Sequence, residues 1–457
     1  MVEQADAVVI GMGVGGEEVA GRLAEAGLDV VGIERELVGG ECPYWACIPS
    51  KMMIRAANLL AEARRIEGMA GESVVRPDWA PVAARIRQEA TDDWNDKVAV
   101  DRFVGKGGRF VRGEGRLAGP GRVEVGGRVF EVSRAVVVAT GTVPAVPPIA
   151  GLADTPYWTN RQAISAEVLP RSLVVLGGGA VGVELAQVFG RFGTEVTIVE
   201  ALDRLLPQEE PETGALIAEV FAREGVRVLT SARAERVSHN EGSGFAVSLA
   251  RGQTIEAERL LVATGRRAEF AHLGLSSVAI DDSGRWITVD DRLRAGSGMW
   301  AVGDVTGAGL FTHVAMHQAG IVVADILGED PPPADYRAVP RATFSDPEVG
   351  GVGLTAQAAA EQGLRVRVGI SQVPDSARGW IHKVGNEGFI KLVEDADRRV
   401  LVGATSVGPA GGEVLSMLTL AVHAQIPTPE LQRMIYAYPT FHRAVEDALR
   451  DLASRPG

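Results

Sequence analysis

One pattern occurs twice in this chain of 457 residues and constrains its fold more than any other feature. Asp6-Ala-Val-Val-Ile10 is a short apolar run ending in Gly11-Met-Gly13-Val-Gly-Gly16. A helical pattern follows over residues 17–26, and a second apolar run, 28–33, closes on Glu34. The same order returns as Ser172-Leu-Val-Val-Leu176, Gly177-Gly-Gly179-Ala-Val-Gly182, a helical pattern over 183–192, and Glu195-Val-Thr-Ile-Val-Glu200. In both copies the acid stands 23 residues after the first glycine.

Strand, glycine turn, helix and acid-terminated strand make a chemical arrangement. The first glycine (Gly11, Gly177) permits a tight turn, the second (Gly13, Gly179) lets backbone touch a pyrophosphate, and the third (Gly16, Gly182) lets helix and strand pack closely. The helix start offers unpaired N–H groups and its positive dipole end to phosphate, and the acid accepts from ribose hydroxyls. A lone glycine fingerprint arises often by chance. Two in matched context predict two dinucleotide sites, against the alternative of two α/β units whose glycines merely pack.

Other pieces repeat. Val136-Val-Val-Ala139-Thr140-Gly141 and Leu260-Leu-Val-Ala263-Thr264-Gly265 are apolar runs ending in Ala-Thr-Gly. Residues 226–263 alternate like a β-meander, with a turn at 240–244. Trp300-Ala-Val-Gly303-Asp304 puts an aspartate at a strand end, a position that also suits a helix N-cap, and Thr312-His313 opens the next helix. Proline-rich residues 329–340 break both helix and central strand, which predicts a domain boundary.

With 46% hydrophobic and 23% charged residues the chain is not globally disordered, and its length predicts about three domains. The net charge of −13 argues against nucleic acid or an anionic membrane as the main partner. Acids near the N-terminus do not suit a secretory signal, and no run of ~18 uncharged apolar residues occurs, so a cytoplasmic protein without membrane insertion is expected. Cys42 and Cys47 are the only cysteines. Such a close pair in a reducing compartment reads as reactive, and no structural zinc set or other metal site is expected.

The pair lies in Gly39-Gly40-Glu41-Cys42-Pro-Tyr-Trp-Ala-Cys47-Ile-Pro-Ser-Lys51. Residues five apart on an ideal helix rise about 7.5 Å and point apart, so a bridge requires a turn or a distorted helix start. Taken with the two glycine units, this segment resembles that of the class I pyridine nucleotide–disulfide oxidoreductases, the flavoprotein family of dihydrolipoamide dehydrogenase, glutathione reductase and mercuric reductase. The matching motifs run from Gly11 to Pro439.

The resemblance implies an α/β protein with two Rossmann-like dinucleotide-binding domains, for FAD and NAD, and a C-terminal α+β dimerisation domain. The expected segments are 1–145 (FAD, with the cysteine pair), 146–270 (NAD(P)), 271–338 (central FAD part) and 339–457 (dimerisation). It further implies a homodimer, with Phe344-Ser-Asp-Pro347-Glu-Val-Gly350 entering the interface domain. Implied FAD contacts are Gly11, Gly13, Gly16, Glu34, Gly40, Glu41, Lys51, Gly115, Thr140, Gly141, Asp304, Thr312 and His313. Implied NAD contacts are Gly177, Gly179, Gly182, Glu200 and Gly265. By motif position Cys47 is the sulfur nearer the flavin, Cys42 meets substrate, and Lys51 pairs with Glu184. A carboxylate at Glu200 favours NADH over NADPH, with Arg204 nearby to soften that preference.

The pattern departs from the family at the C-terminus. Where disulfide-reducing members carry a catalytic His and its orienting Glu, this chain has Tyr438 and Arg443, within Tyr436-Ala-Tyr438-Pro-Thr-Phe-His442-Arg443-Ala-Val-Glu446. Tyrosine is a poor base at neutral pH. His442 and Glu446, spaced i, i+4 on a helix over 440–452, form a candidate replacement dyad. The expected function is electron transfer from NADH through FAD to Cys42–Cys47 and on to a small disulfide-type acceptor. The alternatives are a quinone or other non-disulfide acceptor, reduced in diaphorase fashion, and a redox-sensing flavoprotein without turnover.

Overall fold

The computed structural model describes residues 2–455. They divide into two compact units, each assembled from three stretches of chain. Of these, the first comprises residues 2–49, 84–145 and 265–336, and the second comprises 50–83, 146–264 and 337–455. Residues 50–83 thus group with the second unit.

The first unit is built on an eight-stranded sheet whose main path runs Arg294–Gly296, Met299–Ala301, Arg128–Val138, β1 (Val2–Ile10), β2 (Val30–Glu34) and Arg109–Arg112. The pairings of β1 with β2 and with Arg128–Val138 are parallel. Parallel strands covered on both faces read as unbroken apolar runs, and β2 is buried at all five positions. Helix α1 (Val14–Glu25) crosses between β1 and β2. It buries Val19, Ala20, Leu23 and Ala24, neighbours at helical spacing, in a core shared with Val9, Val137, Val302 and Val322. Each large apolar side chain sunk there contributes about 1.5–3 kcal/mol before the entropy of ordering is subtracted.

After β2 come two short helical pieces, α2 (Glu41–Tyr44) and α3 (Cys47–Arg64). Trp45, at φ −132°, breaks the helix between them.

The second unit repeats the design. Its parallel four-stranded sheet runs Arg227–Leu229, β4 (Glu195–Val199), β3 (Ser172–Leu176) and Arg259–Val262, and α4 (Ala180–Arg191) crosses from β3 to β4. The meander is the antiparallel sheet Ala234–Asn240, Gly244–Leu249 and Thr254–Ala257. Residues 337–457 add a five-stranded antiparallel sheet in the order Pro340–Thr343, Glu348–Gly353, Val400–Gly408, Phe389–Asp395 and Val366–Gln372. Helices Gly411–His423 and Arg443–Ser454 bury Leu415, Leu418, Val445, Leu449 and Leu452 in that sheet's core.

The last helix starts at Arg443, three residues later than its apolar pattern implies, because Thr440 and Phe441 form a turn that receives the N–H groups of Arg443 and Ala444. Residues 329–339 lack helix and strand. Among the described residues no helix is long and apolar enough to cross a membrane.

Candidate active site

The two glycine turns are built alike. Gly11 has φ 92° and Gly177 has φ 109°, a region where side chains are strained. A Cβ on Gly11 would lie 2.5 Å from the Ala139 carbonyl oxygen, and one on Gly177 would lie 2.4 Å from its counterpart on Ala263. A Cβ on Gly16 or Gly182 would strike the carbonyl of Gly11 or Gly177, so helix and turn touch. By contrast, a Cβ on Gly13 would meet nothing nearer than Gly40 Cα at 4.0 Å, and one on Gly179 nothing within 4 Å. Both are N-cap residues, so the open side of each turn is where the first helical N–H groups point.

The paired acids also match. Glu34 Oε2 accepts from Met12 N at 2.8 Å and Oε1 from Glu36 N at 2.7 Å. Glu200 Oε2 accepts from Gly178 N at 2.6 Å and Oε1 from Leu202 N at 2.7 Å. Burial raises the Glu34 carboxyl above its usual range, and the backbone N–H groups pull it back. Arg204, expected near Glu200, donates to the Pro207 carbonyl at 3.1 Å and contacts Asp203 at 3.3 Å.

In the first unit Gly115 packs against Ile10 and Ile33, Thr140 is exposed, and Gly141 (φ 64°) and Gly265 (φ 108°) adjoin open space. Asp304 lies in a 3-10 turn, Gly303–Thr306, where its carboxylate accepts from the Thr142 hydroxyl at 2.8 Å; no side-chain cap bond forms there. Burial pushes its pKa up. Arg266 donates to the same hydroxyl at 2.7 Å and to the Thr142 carbonyl at 2.6 Å, and it lies 3.5 Å from Glu41. Sequence reading missed Thr142 and Arg266, although each directly follows the glycine of an Ala-Thr-Gly turn.

Cys42 and Cys47 are half-buried on either side of the break between α2 and α3. Cys47 Sγ sits 3.6 Å from the Thr312 hydroxyl, which opens the 15-residue helix Thr312–Ile326. The sulfur therefore meets a hydroxyl at a helix start, where negative charge is favoured. The His313 ring stacks on Phe311 at 5.2 Å. Tyr44 is buried, while half-exposed Trp45 stacks on Trp94.

In the second unit Lys51 Nζ donates to Glu184 Oε2 at 2.9 Å, and Glu184 Oε1 accepts from Phe344 N at 2.8 Å. Lys51 also lies 4.7 Å from the centre of the Phe344 ring. The C-terminal expectation requires correction. Glu446 is held by Arg443 and Arg450, so its carboxylate does not orient His442, which is exposed at the helix start. Two guanidiniums outcompete one imidazole for it. Tyr438 is 73% exposed. Among the described residues no His/Cys/Asp/Glu group is arranged to hold a metal.

This architecture is that of a two-dinucleotide flavoenzyme, and comparison with known proteins agrees. Residues 5–319 match the pyridine nucleotide-disulphide oxidoreductase family, and residues 339–449 match that family's dimerisation domain. A dihydrolipoyl dehydrogenase of Chlorobaculum tepidum is 33% identical over 100% of this chain and 99% of its own. A mercuric reductase of Acidithiobacillus ferrooxidans is 33% identical over 94% of this chain and 80% of its own. Among solved structures, LpdA from Mycobacterium tuberculosis superposes with a TM-score of 0.85 at 27% identity, covering 97% of this chain and 98% of that one. The HOCl-induced flavoprotein disulfide reductase RclA from Escherichia coli does so at 0.85 and 28%, covering 98% and 99%.

The chain belongs to the class I pyridine nucleotide–disulfide oxidoreductase family. It is an NAD(P)H-dependent flavoprotein disulfide oxidoreductase that binds FAD and a pyridine nucleotide.

Proposed function

We propose that this enzyme carries electrons from NADH to a Cys42–Cys47 disulfide and from there to a small disulfide. The observation that carries the reading is the placement of Cys47 Sγ against the Thr312 hydroxyl at a helix start, with Cys42 across the α2–α3 break. FAD fits the first unit, because Gly13 and Gly141 leave open backbone and Asp304 offers a buried carboxylate. When bound, it supplies a two-electron relay between nicotinamide and sulfur. Gly11, Gly13, Gly16, Gly40 and Gly115 shape its seat, Glu34 and Asp304 accept from its hydroxyls, and Glu41, Thr140, Gly141, Thr312 and His313 line it.

Gly177, Gly179, Gly182, Glu200 and Gly265 are assigned to the nicotinamide dinucleotide. Glu200, directly after β4, is a carboxylate that repels a 2′-phosphate, and Arg204 is engaged by the Pro207 carbonyl, which supports NADH. Lys51, one turn after Cys47 on α3, is assigned the cationic role, with Glu184 fixing its ammonium. Cys47 holds the thiolate, and Cys42 attacks the acceptor disulfide. The dihydrolipoyl dehydrogenase relatives favour a disulfide acceptor. Exposed Ile435, Leu420 and Tyr438 in the dimerisation domain support a homodimer, and two thiols as working parts suit the reducing cytoplasm.

A second reading, a quinone-type acceptor reduced without the cysteines, is favoured by one observation: Tyr438 replaces the usual base and Glu446 is tied to arginines. One experiment separates the two. Steady-state NADH oxidation is measured with lipoamide, glutathione-type disulfides and quinones, using wild type and Cys42→Ser/Cys47→Ser. Disulfide turnover abolished in the double variant supports the proposal; full turnover retained with every acceptor overturns it.

A further inference from the structure

Trp45 occupies the break between the two cysteines, three residues after Cys42 and directly after α2. Its ring stacks on Trp94, with centroids 5.2 Å apart and planes 20° apart. Trp94 has a second hold on the same loop, because its Nε1–H points at the Tyr44 carbonyl at 3.4 Å.

The segment presenting Trp94 is unusual. A π-helical turn, Ile86–Ala90, leads into three consecutive residues in the left-handed region: Asp92 (φ 49°), Asp93 (φ 54°) and Trp94 (φ 55°). That conformation is rare for any non-glycine residue and rarer for a bulky one. It persists only where surroundings impose it, and π-turns and such backbone cluster at working sites. Here the surroundings are identifiable. The buried Thr91 hydroxyl donates to the Ile86 carbonyl at 3.0 Å and accepts from Trp94 N at 3.4 Å. Asp96, just beyond, takes the Val38 N–H at 2.7 Å, which fastens this segment to the stretch leading into the cysteine loop.

We infer that Trp94 is a positioning residue for the redox pair: through its stack on Trp45 and its bond to Tyr44 it clamps the loop so that Cys42 and Cys47 stay within bonding reach. The inference rests on the redox role proposed above. Reduction breaks the Cys42–Cys47 S–S bond. NADH, the reductant, supplies two electrons and one proton, leaving one thiol, one thiolate and NAD+. A clamped loop raises the effective concentration of one sulfur at the other and so favours the disulfide. A loosened loop favours the dithiol.

The test uses flavin-loaded wild type, Trp94→Ala, Trp94→Phe and Trp45→Leu. Each is equilibrated in glutathione buffers of graded ratio, quenched with an alkylating reagent, and weighed to give the dithiol fraction. Trp94→Ala and Trp45→Leu are expected to shift the equilibrium toward dithiol by about tenfold, a potential about 30 mV less negative. Trp94→Phe keeps a ring to stack and is expected to fall between them and wild type. Trp45→Leu leaves the 92–94 backbone intact and decides the matter if Trp94→Ala fails to fold. If flavin-loaded Trp45→Leu titrates with wild type, the clamp is refuted. If wild-type cysteines alkylate alike before and after NADH, the proposed redox function falls first and takes the clamp with it.

Discussion

Glu184 holds Lys51 with one carboxylate oxygen and the backbone N–H of Phe344 with the other, so one side chain on α4 fixes both an ammonium and the backbone just past the strand Pro340–Thr343. Glutamine at this position keeps the shape and loses the charge. Glu184→Gln is expected to lower kcat about tenfold with NADH while leaving flavin content unchanged, since a charge-assisted bond carries roughly 1.5–3 kcal/mol and Lys51 is partly screened by solvent. Rapid-mixing measurement of flavin reduction by NADH reads this directly. An unchanged rate would remove Lys51 from the chemistry.

Cys47 and Cys42 are expected to differ in kind. Anaerobic NADH should raise a long-wavelength thiolate-to-flavin absorbance in wild type; Cys42→Ser, which has no disulfide to open, should show it before any NADH is added, and Cys47→Ser should show none in either state. The opposite pattern would exchange the two sulfurs' roles.

Nucleotide choice should follow Glu200. Replacing it with Gln removes the repulsion of a 2′-phosphate and one charged acceptor, so the NADH/NADPH ratio of kcat/KM is expected to fall at least about tenfold, the low end of the ~1.5–3 kcal/mol of one charged hydrogen bond. Steady-state kinetics with both nucleotides checks it. A ratio that does not move would place discrimination elsewhere.

Alkaline stability should reflect buried phenols. Burial pushes Tyr436 up to about 12, and its hydroxyl donates to the Leu431 carbonyl at 3.0 Å. Tyr44 and Tyr336 are also raised, chiefly by burial. A group whose folded pKa is raised contributes stability that is whole below its unfolded value, near ~10 for tyrosine, and fades as pH climbs through the folded value. Melting temperature should therefore be level up to about pH 9 and fall steeply from about 10 to 12. Tyr436→Phe should start less stable by about 1 kcal/mol and lose less across that window. A parallel fall in both proteins would contradict the assignment.

The glycine units were legible because they are local. Strand, turn, helix and acid are contiguous in sequence, and the spacing alone implies that Glu34 and Glu200 return to their turns. Asp304 was legible as a strand-end acid, but its Thr142–Arg266 support was not, since those partners come together only through tertiary packing. The His442–Glu446 dyad failed for a related reason. Helical spacing put the two within reach, yet Arg443 and Arg450 share that reach and bind the carboxylate more strongly. Trp94 left no signal in its own segment, because the partners that give it a role, the Trp45 ring and the Tyr44 carbonyl, lie about fifty residues away in sequence.

The two carboxylates that grip backbone N–H groups in their own glycine turns have a further effect. Each turn is tied down by its own acid, so the cost of ordering it is met during folding and little remains when a dinucleotide arrives. Association should then be governed by diffusion and charge rather than by a waiting time for loop closure, and flavin should return to stripped protein in a single concentration-dependent phase.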